Sequence, residues 1–205
     1  MPSEGAVLGF DSAGNWCCAA LLRDRQVLAR RHEDMGRGQG ERLMPLLEEV
    51  LAEAGLAWGD LAALGVGVGP GNFTGIRISV AAARGLALGL GIPAIGISRF
   101  EALALDGPAL PVLVPALRGQ AWIARPGGPG EPPELVDPAK ISGPVIAETG
   151  AFPGLASQPP ALPLAVAIAR LASERRHQPQ PRPAPLYLRE ADAAPHSERP
   201  PALLP

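Results

Sequence analysis

Lysine is almost missing from this 205-residue chain; Lys140 is the only one. Gly-rich phosphate loops that close on a lysine are therefore excluded, because no Gly-x-x-x-x-Gly-Lys-Ser/Thr run exists. The two cysteines, Cys17 and Cys18, are neighbours in an apolar stretch. Adjacent strand residues point to opposite faces, so the pair neither bridges nor builds a metal set. The three histidines, His32, His177 and His196, lie far apart and form no His-x-x-x-His pair, which excludes that metallopeptidase pattern. Ser98 lacks the second glycine of a nucleophile elbow. Basic residues are not in excess, with 18 Lys plus Arg against 20 Asp plus Glu and a net charge of −2. A chain that grips RNA alone shows a basic stripe, so strong direct nucleic-acid binding is not expected. No apolar run reaches the ~18 residues that span a bilayer free of proline and charge. The opening Met-Pro-Ser-Glu-Gly has no signal-peptide pattern. A cytoplasmic protein with no membrane contact is expected.

What is abundant is aliphatic residue, glycine and proline. The apolar fraction of 47% is enough for a core built on Leu, Ala, Val and Ile. The organising stretch runs from Leu64 to Ser98. Leu64 to Val68 alternates glycine with aliphatics and reads as a buried strand. Gly69-Pro70-Gly71 is a sharp turn, and Thr74 stands where a helix cap belongs, with Phe73 before it. Gly75 to Leu90 contains no proline, so a helix runs to Gly91, and Ala94 to Ile97 is the next, parallel strand. Arg77, Ser79 and Arg84 are the only clearly polar residues of that helix. A helix apolar nearly all round needs cover on more sides than one sheet supplies.

Upstream, Ala6–Phe10, Trp16–Leu22 and Gln26–Arg31 read as an antiparallel meander with tight turns. The spacing of Leu43, Leu46, Leu47, Val50 and Leu51 predicts a helix ended by Gly55, with Pro45 in or near its first turn. The order β-β-β-α-β-α-β is the RNase H-like arrangement. Beyond Arg99–Leu105, a short helix, proline becomes frequent. Val112–Val114, Ala121–Ala124 and Val145–Ala147 read as strands, Arg125–Pro138 as a loop and Leu162–Glu174 as a helix. Gln178–Pro185 reads as a linker, Leu186–Arg189 as a short extended piece and the tail from Ala194 as frayed. Residues 1–105 are thus expected to form one lobe and residues 106–205 a reduced, proline-rich second lobe. No internal sequence repeat is visible.

The run from Gly65 through Gly69-Pro70-Gly71-Asn72-Phe73-Thr74-Gly75-Ile76-Arg77 to Ala104 closely resembles the signature of the TsaB (YeaZ) family. That family carries serine where this chain has Asn72. The resemblance covers the N-terminal half well and the remainder in patches. It implies the actin-like, RNase H-like fold, a degraded nucleotide site, and support of threonylcarbamoyladenosine synthesis in tRNA beside the anticodon. It implies heterodimer formation with the larger paralogue TsaD, with TsaE as an ATP-dependent partner, and a homodimer in isolation. Two departures stand out. Gln39-Gly40-Glu41 replaces the His-containing segment before the first helix. Pro115–Trp122 lacks the Asp and first Arg of an Asp-Ala-Arg segment.

Three groups of residues are candidates for function. Asp11, with Ser12 and Gly14, ends the first strand where actin-like ATPases orient Mg²⁺ and phosphate; the alternative is a carboxylate capping its own turn. ATP or ADP with Mg is expected to bind weakly at most. Gly69, Pro70, Gly71 and Thr74 read as a structural turn, because proline deletes a donor from any phosphate cradle and Asn72 breaks the dinucleotide fingerprint. Leu43, Leu47 and Leu51 with Ile78, Ala82, Gly85, Leu86 and Gly89 are expected to form a partner face on two helices, since small residues admit another backbone closely. No catalytic and no metal residue is expected. The rival reading is an actin-like nucleotide-binding phosphotransferase acting alone; a Rossmann-type binding protein is a third.

Overall fold

The computed structural model describes residues 5–126 and 132–188. The readings at Arg189, at the tail from Ala194, at the first four residues and at part of the Arg125–Pro138 loop lie outside them. The meander is β1 (Ala6–Asp11), β2 (Trp16–Arg23) and β3 (Gln26–Asp34). Asp24 and Arg25, at φ 48° and 65°, supply the left-handed pair that a two-residue hairpin needs. Then follow α1 (Gln39–Glu53), β4 (Leu61–Gly67), α2 (Phe73–Leu90) and β5 (Ala94–Ile97). The sheet order is β3-β2-β1-β4-β5, with β1 antiparallel to β2 and parallel to β4. The expected order of elements and strand directions is therefore present.

Two local expectations are corrected. The α2 cap is Asn72, not Thr74: the Asn72 side-chain oxygen accepts from the Thr74 and Gly75 amides at 2.9 and 3.1 Å, so Phe73 opens the helix instead of preceding its cap. Pro45 lies inside α1, beyond the first turn.

The second half continues with α3 (Arg99–Ala104), β6 (Val112–Pro115), β7 (Ala121–Ala124), β8 (Glu134–Val136), β9 (Val145–Ile146), β10 (Ser157–Gln158) and α4 (Leu164–Arg175). Strands β8 and β10 fall where no strand was expected. The second sheet runs β8-β7-β6-β9-β10; β6 and β8 are antiparallel to β7, and β9 is parallel to β6 and β10. This is the pairing scheme of the first sheet repeated, centre strand for centre strand, without a sequence repeat. The crossover helices are what is lost. A single 3₁₀ turn, Pro138–Lys140, stands between β8 and β9, and no helix stands between β9 and β10.

One face of the first sheet is covered by α1 and α2. The other face packs on α3 and α4, which together with Val112, Val114 and Ile146 of the second sheet form a single core cluster. Helix α4, from the proline-rich half, thus seats on the first lobe. It approaches closely because Gly9 and Gly65, register partners on β1 and β4, leave room: a Cβ at Gly9 would lie 2.5 Å from the Ala169 amide nitrogen and 2.6 Å from the Ala165 carbonyl oxygen. Cys17 and Cys18 fall in opposite clusters and are both free.

Helix α1 is tied to β3 by Arg42, whose guanidinium donates to both oxygens of Glu33 and both of Glu49 at 2.6–2.7 Å. Hydrogen bonds from Arg42 hold both carboxyls below their ordinary value of 4.5. A depressed carboxyl stabilises the fold above its unfolded value, and that contribution is lost as pH falls through the folded value. The urea midpoint is therefore expected to drop on acidification below about pH 4.5, and Arg42→Leu to flatten that part of the profile.

Candidate functional site: a filled cleft and an uncovered helix

Asp11 ends β1 on the side facing α3 and the second sheet. It is 2% exposed, and its Oδ1 accepts from the Ala13 amide at 2.9 Å and from the Trp16 indole Nε1 at 3.0 Å. Its other oxygen abuts Gly67, where even a methyl group would not fit. The Trp16 ring lies over Gly14 at a distance that leaves no room for a Cβ there. The Arg99 guanidinium stacks on Trp16, 4.7 Å from the ring centroid, and pairs with Glu148 from the loop after β9. Ser12 is buried and its hydroxyl donates to the Gly75 carbonyl at 2.9 Å. Burial pushes the Asp11 carboxyl up, against the pull of the Arg99 cation and the hydrogen bonds from Ala13 and Trp16.

These contacts make a linked set, Asp11–Trp16–Arg99–Glu148, that joins the two sheets. An open groove of about 620 Å³ runs beside it, walled by Trp16, Arg99, Glu148, Pro160 and Leu162; neither Asp11 nor Ser12 lines it. A carboxylate that orients hydrated Mg²⁺ must offer a free oxygen, and a phosphate loop must offer uncovered amides. Here Oδ1 is bonded within its own turn, Oδ2 is packed against Gly67 and the indole covers the loop, so the residues in this arrangement do not fit an Mg–phosphate group. Among the described residues no set of three His, Cys, Asp or Glu is placed to hold a metal ion.

The turn Gly69-Pro70-Gly71 closes on this linked set from the other side. The Gly69–Pro70 peptide is cis, and Gly69 has φ +99°. The Asn72 amide donates to the Ala13 carbonyl at 2.6 Å, and Gly71 packs so near Ala13 that a Cβ would sit 2.4 Å from its oxygen. The turn is thus pressed onto the β1–β2 turn. Thr74 is exposed in the first turn of α2.

The expected partner face is half rearranged. Leu43, Leu47 and Leu51 point into the core of their own subunit, 1%, 0% and 3% exposed, because the apolar stripe of α1 seats on the sheet. They are not available to a partner. Ile78, Ala82 and Leu86 are half-buried against that core. Gly85 and Gly89 are open, with nothing near the position of a Cβ. The uncovered side of α2 follows four-residue spacing: Phe73, Arg77, Ala81, Gly85, Gly89, with Arg84 and Leu88 beside it. Leu88 is 80% exposed. Among the described helices, α2 alone has the length and composition of a membrane span, yet its Ile76, Val80 and Ala83 are buried against β4 and its Arg77 and Arg84 are exposed.

A mixed five-stranded sheet with two crossover helices, an echoed second sheet and a cleft between them is the actin-like, RNase H-like class. Comparison with known proteins narrows the class. The family model described as TsaD, tRNA N6-adenosine threonylcarbamoyltransferase, matches residues 31–124. The tRNA threonylcarbamoyladenosine biosynthesis protein TsaB of Escherichia coli is 39% identical over 98 residues, 48% of this chain and 42% of that protein. An uncharacterized protein of Mycobacterium tuberculosis is 35% identical over 199 residues, 92% of this chain and 94% of that one. The solved structure titled YeaZ from Pseudomonas aeruginosa superposes with a TM-score of 0.70 at 24% identity, over 90% of this chain and 100% of that one. The chain belongs to the TsaB (YeaZ) family. It spans about two fifths of the length of the E. coli and Haemophilus influenzae TsaB proteins, 42% and 41%.

Proposed function

We propose that this protein acts in threonylcarbamoyladenosine synthesis in tRNA as a non-catalytic partner that holds a TsaD-type transferase in its working arrangement. The observation that carries this reading is the uncovered face of α2. It exposes Ala81, Gly85, Leu88 and Gly89, small or apolar residues that admit another helix closely. A helix with such a face is stable in water at a cost that a partner removes. The family match over residues 31–124 contains α1, β4 and α2, so a TsaD-type chain carries an equivalent helix pair. Two related helix pairs meet around a pseudo-two-fold axis, as in isologous dimers. The same face pairs with a second copy when the transferase is absent. The linked set at Asp11 supports a role that does not depend on nucleotide held by this chain, with ATP hydrolysis left to a partner such as TsaE.

The test is co-purification and affinity measurement with the TsaD-type protein of the same cell. Ala81→Arg puts a long cation on the exposed stripe without touching the core, and is expected to weaken the complex at least about a hundredfold, as loss of a central hot spot does. Ala82 is less suitable, because it is half-buried in its own subunit. An Ala81→Arg chain that folds and still binds at full affinity sinks the reading. Independent strong binding of Mg-ATP, lost in Asp11→Ala, would instead support the phosphotransferase rival.

A further inference from the structure

We propose that the α2 face is read through an anchor at its N-terminal end: Arg77, held rigid between Phe73 and Tyr187, takes a carboxylate from the partner protein. The inference rests on the reading of α2 as a docking face. Three observations carry it. First, Arg77 is exposed yet fixed. Its guanidinium carbon sits 3.7 Å from the centre of the Phe73 ring, and its Nε donates to the Tyr187 hydroxyl at 2.9 Å. The Phe73 and Tyr187 rings lie 5.1 Å apart. With Nε engaged, the two terminal nitrogens remain as a fork for one carboxylate. A side chain whose rotamer is already set loses less entropy on binding.

Second, among the described residues the fork has no acidic partner. Arg42, Arg170 and Arg175 pair with carboxylates, whereas no carboxylate among the described residues reaches Arg77 within ion-pair distance. Helix α2 contains no acidic residue at all, so the charge on its open side comes from Arg77 and Arg84. Complementarity therefore calls for an acidic side chain opposite. Third, Phe73 and Tyr187 are each 45% exposed, and the apolar stripe of Ala81, Gly85 and Leu88 continues directly from them. A continuous apolar strip ending in an aromatic–arginine cluster is the make-up of a protein hot spot. A sugar–phosphate backbone would need cations spaced along the strip instead.

Tyr187 is the only tyrosine of the chain and arrives from the last described segment. The Leu186 amide donates to the Val68 carbonyl at 2.8 Å, which pins that segment beside the start of α2. The second half of the molecule thereby shapes a face carried by the first.

The experiment compares wild type, Arg77→Ala, Arg77→Lys and Tyr187→Phe for affinity to the purified TsaD-type protein across a salt series, with circular dichroism to check each fold. Arg77→Ala is expected to weaken the complex roughly 10- to 100-fold and to reduce its salt dependence. Arg77→Lys keeps the charge but loses the fork and the stacking, so only part of the affinity returns. Arg77→Glu should be rescued by an acidic-to-lysine substitution on the partner's contact helix, which a merely structural arginine would not permit. If Arg77→Ala binds within twofold of wild type while Ala81→Arg still abolishes binding, the anchor is wrong and the docking face stands. If neither substitution matters, both fall. If Arg77→Ala instead loses affinity for purified tRNA alone, the fork serves phosphate and the proposal is overturned.

Discussion

Gly9→Val is expected to unfold this protein or to cost it at least about 3 kcal/mol, the upper range for overpacking in a core. Gly9 lies in the centre strand of the first sheet, under α4. Even a methyl group there would meet backbone atoms of α4, the Ala169 nitrogen at 2.5 Å and the Ala165 oxygen at 2.6 Å. Backbone atoms inside a helix do not swing aside as a side chain does, so the whole helix must lift. Helix α4 packs on β1, β2 and β4 through Ala165, Ile168, Ala169 and Ala172, and lifting it strips cover from one entire face of the first sheet. Chemical denaturation measures the loss. Gly85→Ala is the control with opposite sign: nothing lies near that position, and alanine replaces glycine in a helix interior, so a gain of roughly 0.5–1 kcal/mol is expected. Equal effects from both substitutions would show that α4 does not seat on Gly9.

The second large effect is expected at Glu148. Removing its charge in Glu148→Gln leaves Arg99, 7% exposed, as a buried cation without its carboxylate partner. Breaking such a pair from one side costs about 3 kcal/mol or more, whereas replacing both members together with apolar or neutral groups costs much less. Glu148→Gln combined with Arg99→Met should therefore be more stable than Glu148→Gln alone. A double-mutant cycle measured by urea unfolding reads this directly, and simple additivity would show that the pair does not act as one unit. Because Arg99 also stacks on Trp16, indole fluorescence should shift in Glu148→Gln, reporting loosening between the sheets.

Much of the first lobe is legible in the sequence. Meander, crossover helices and parallel strands each have a local cause: tight turns, a proline-free small-residue run, glycine stops. The cap of α2 was misplaced by two residues because Asn72 and Thr74 are both good caps, and only the backbone path shows which side chain reaches two amides. The face of α1 was misjudged for a different reason. A stripe of Leu43, Leu47 and Leu51 shows that one side is buried, but not whether the cover is the chain's own sheet or another chain. Among the site residues, Asp11 was visible as a strand-end carboxylate. Arg99 and Glu148, which join it through Trp16, lie 88 and 137 positions away and follow no spacing rule, so nothing in the sequence links them to it.

The second lobe shows the limit most clearly. Strands β6, β7 and β9 are legible as short apolar runs, but β8 and β10, three and two residues long, are not, and nothing in the sequence shows that all five pair in the scheme of the first sheet. The family resemblance and the first sheet with its two crossover helices are legible in the sequence, because both depend on residues near one another along the chain. The return of α4 to cover the first sheet, the stacking of Arg99 on Trp16 and the side of α2 left open come from tertiary packing. Those outcomes depend on contacts between distant segments, whose energy is set by shape and burial and leaves no period in the chain to read.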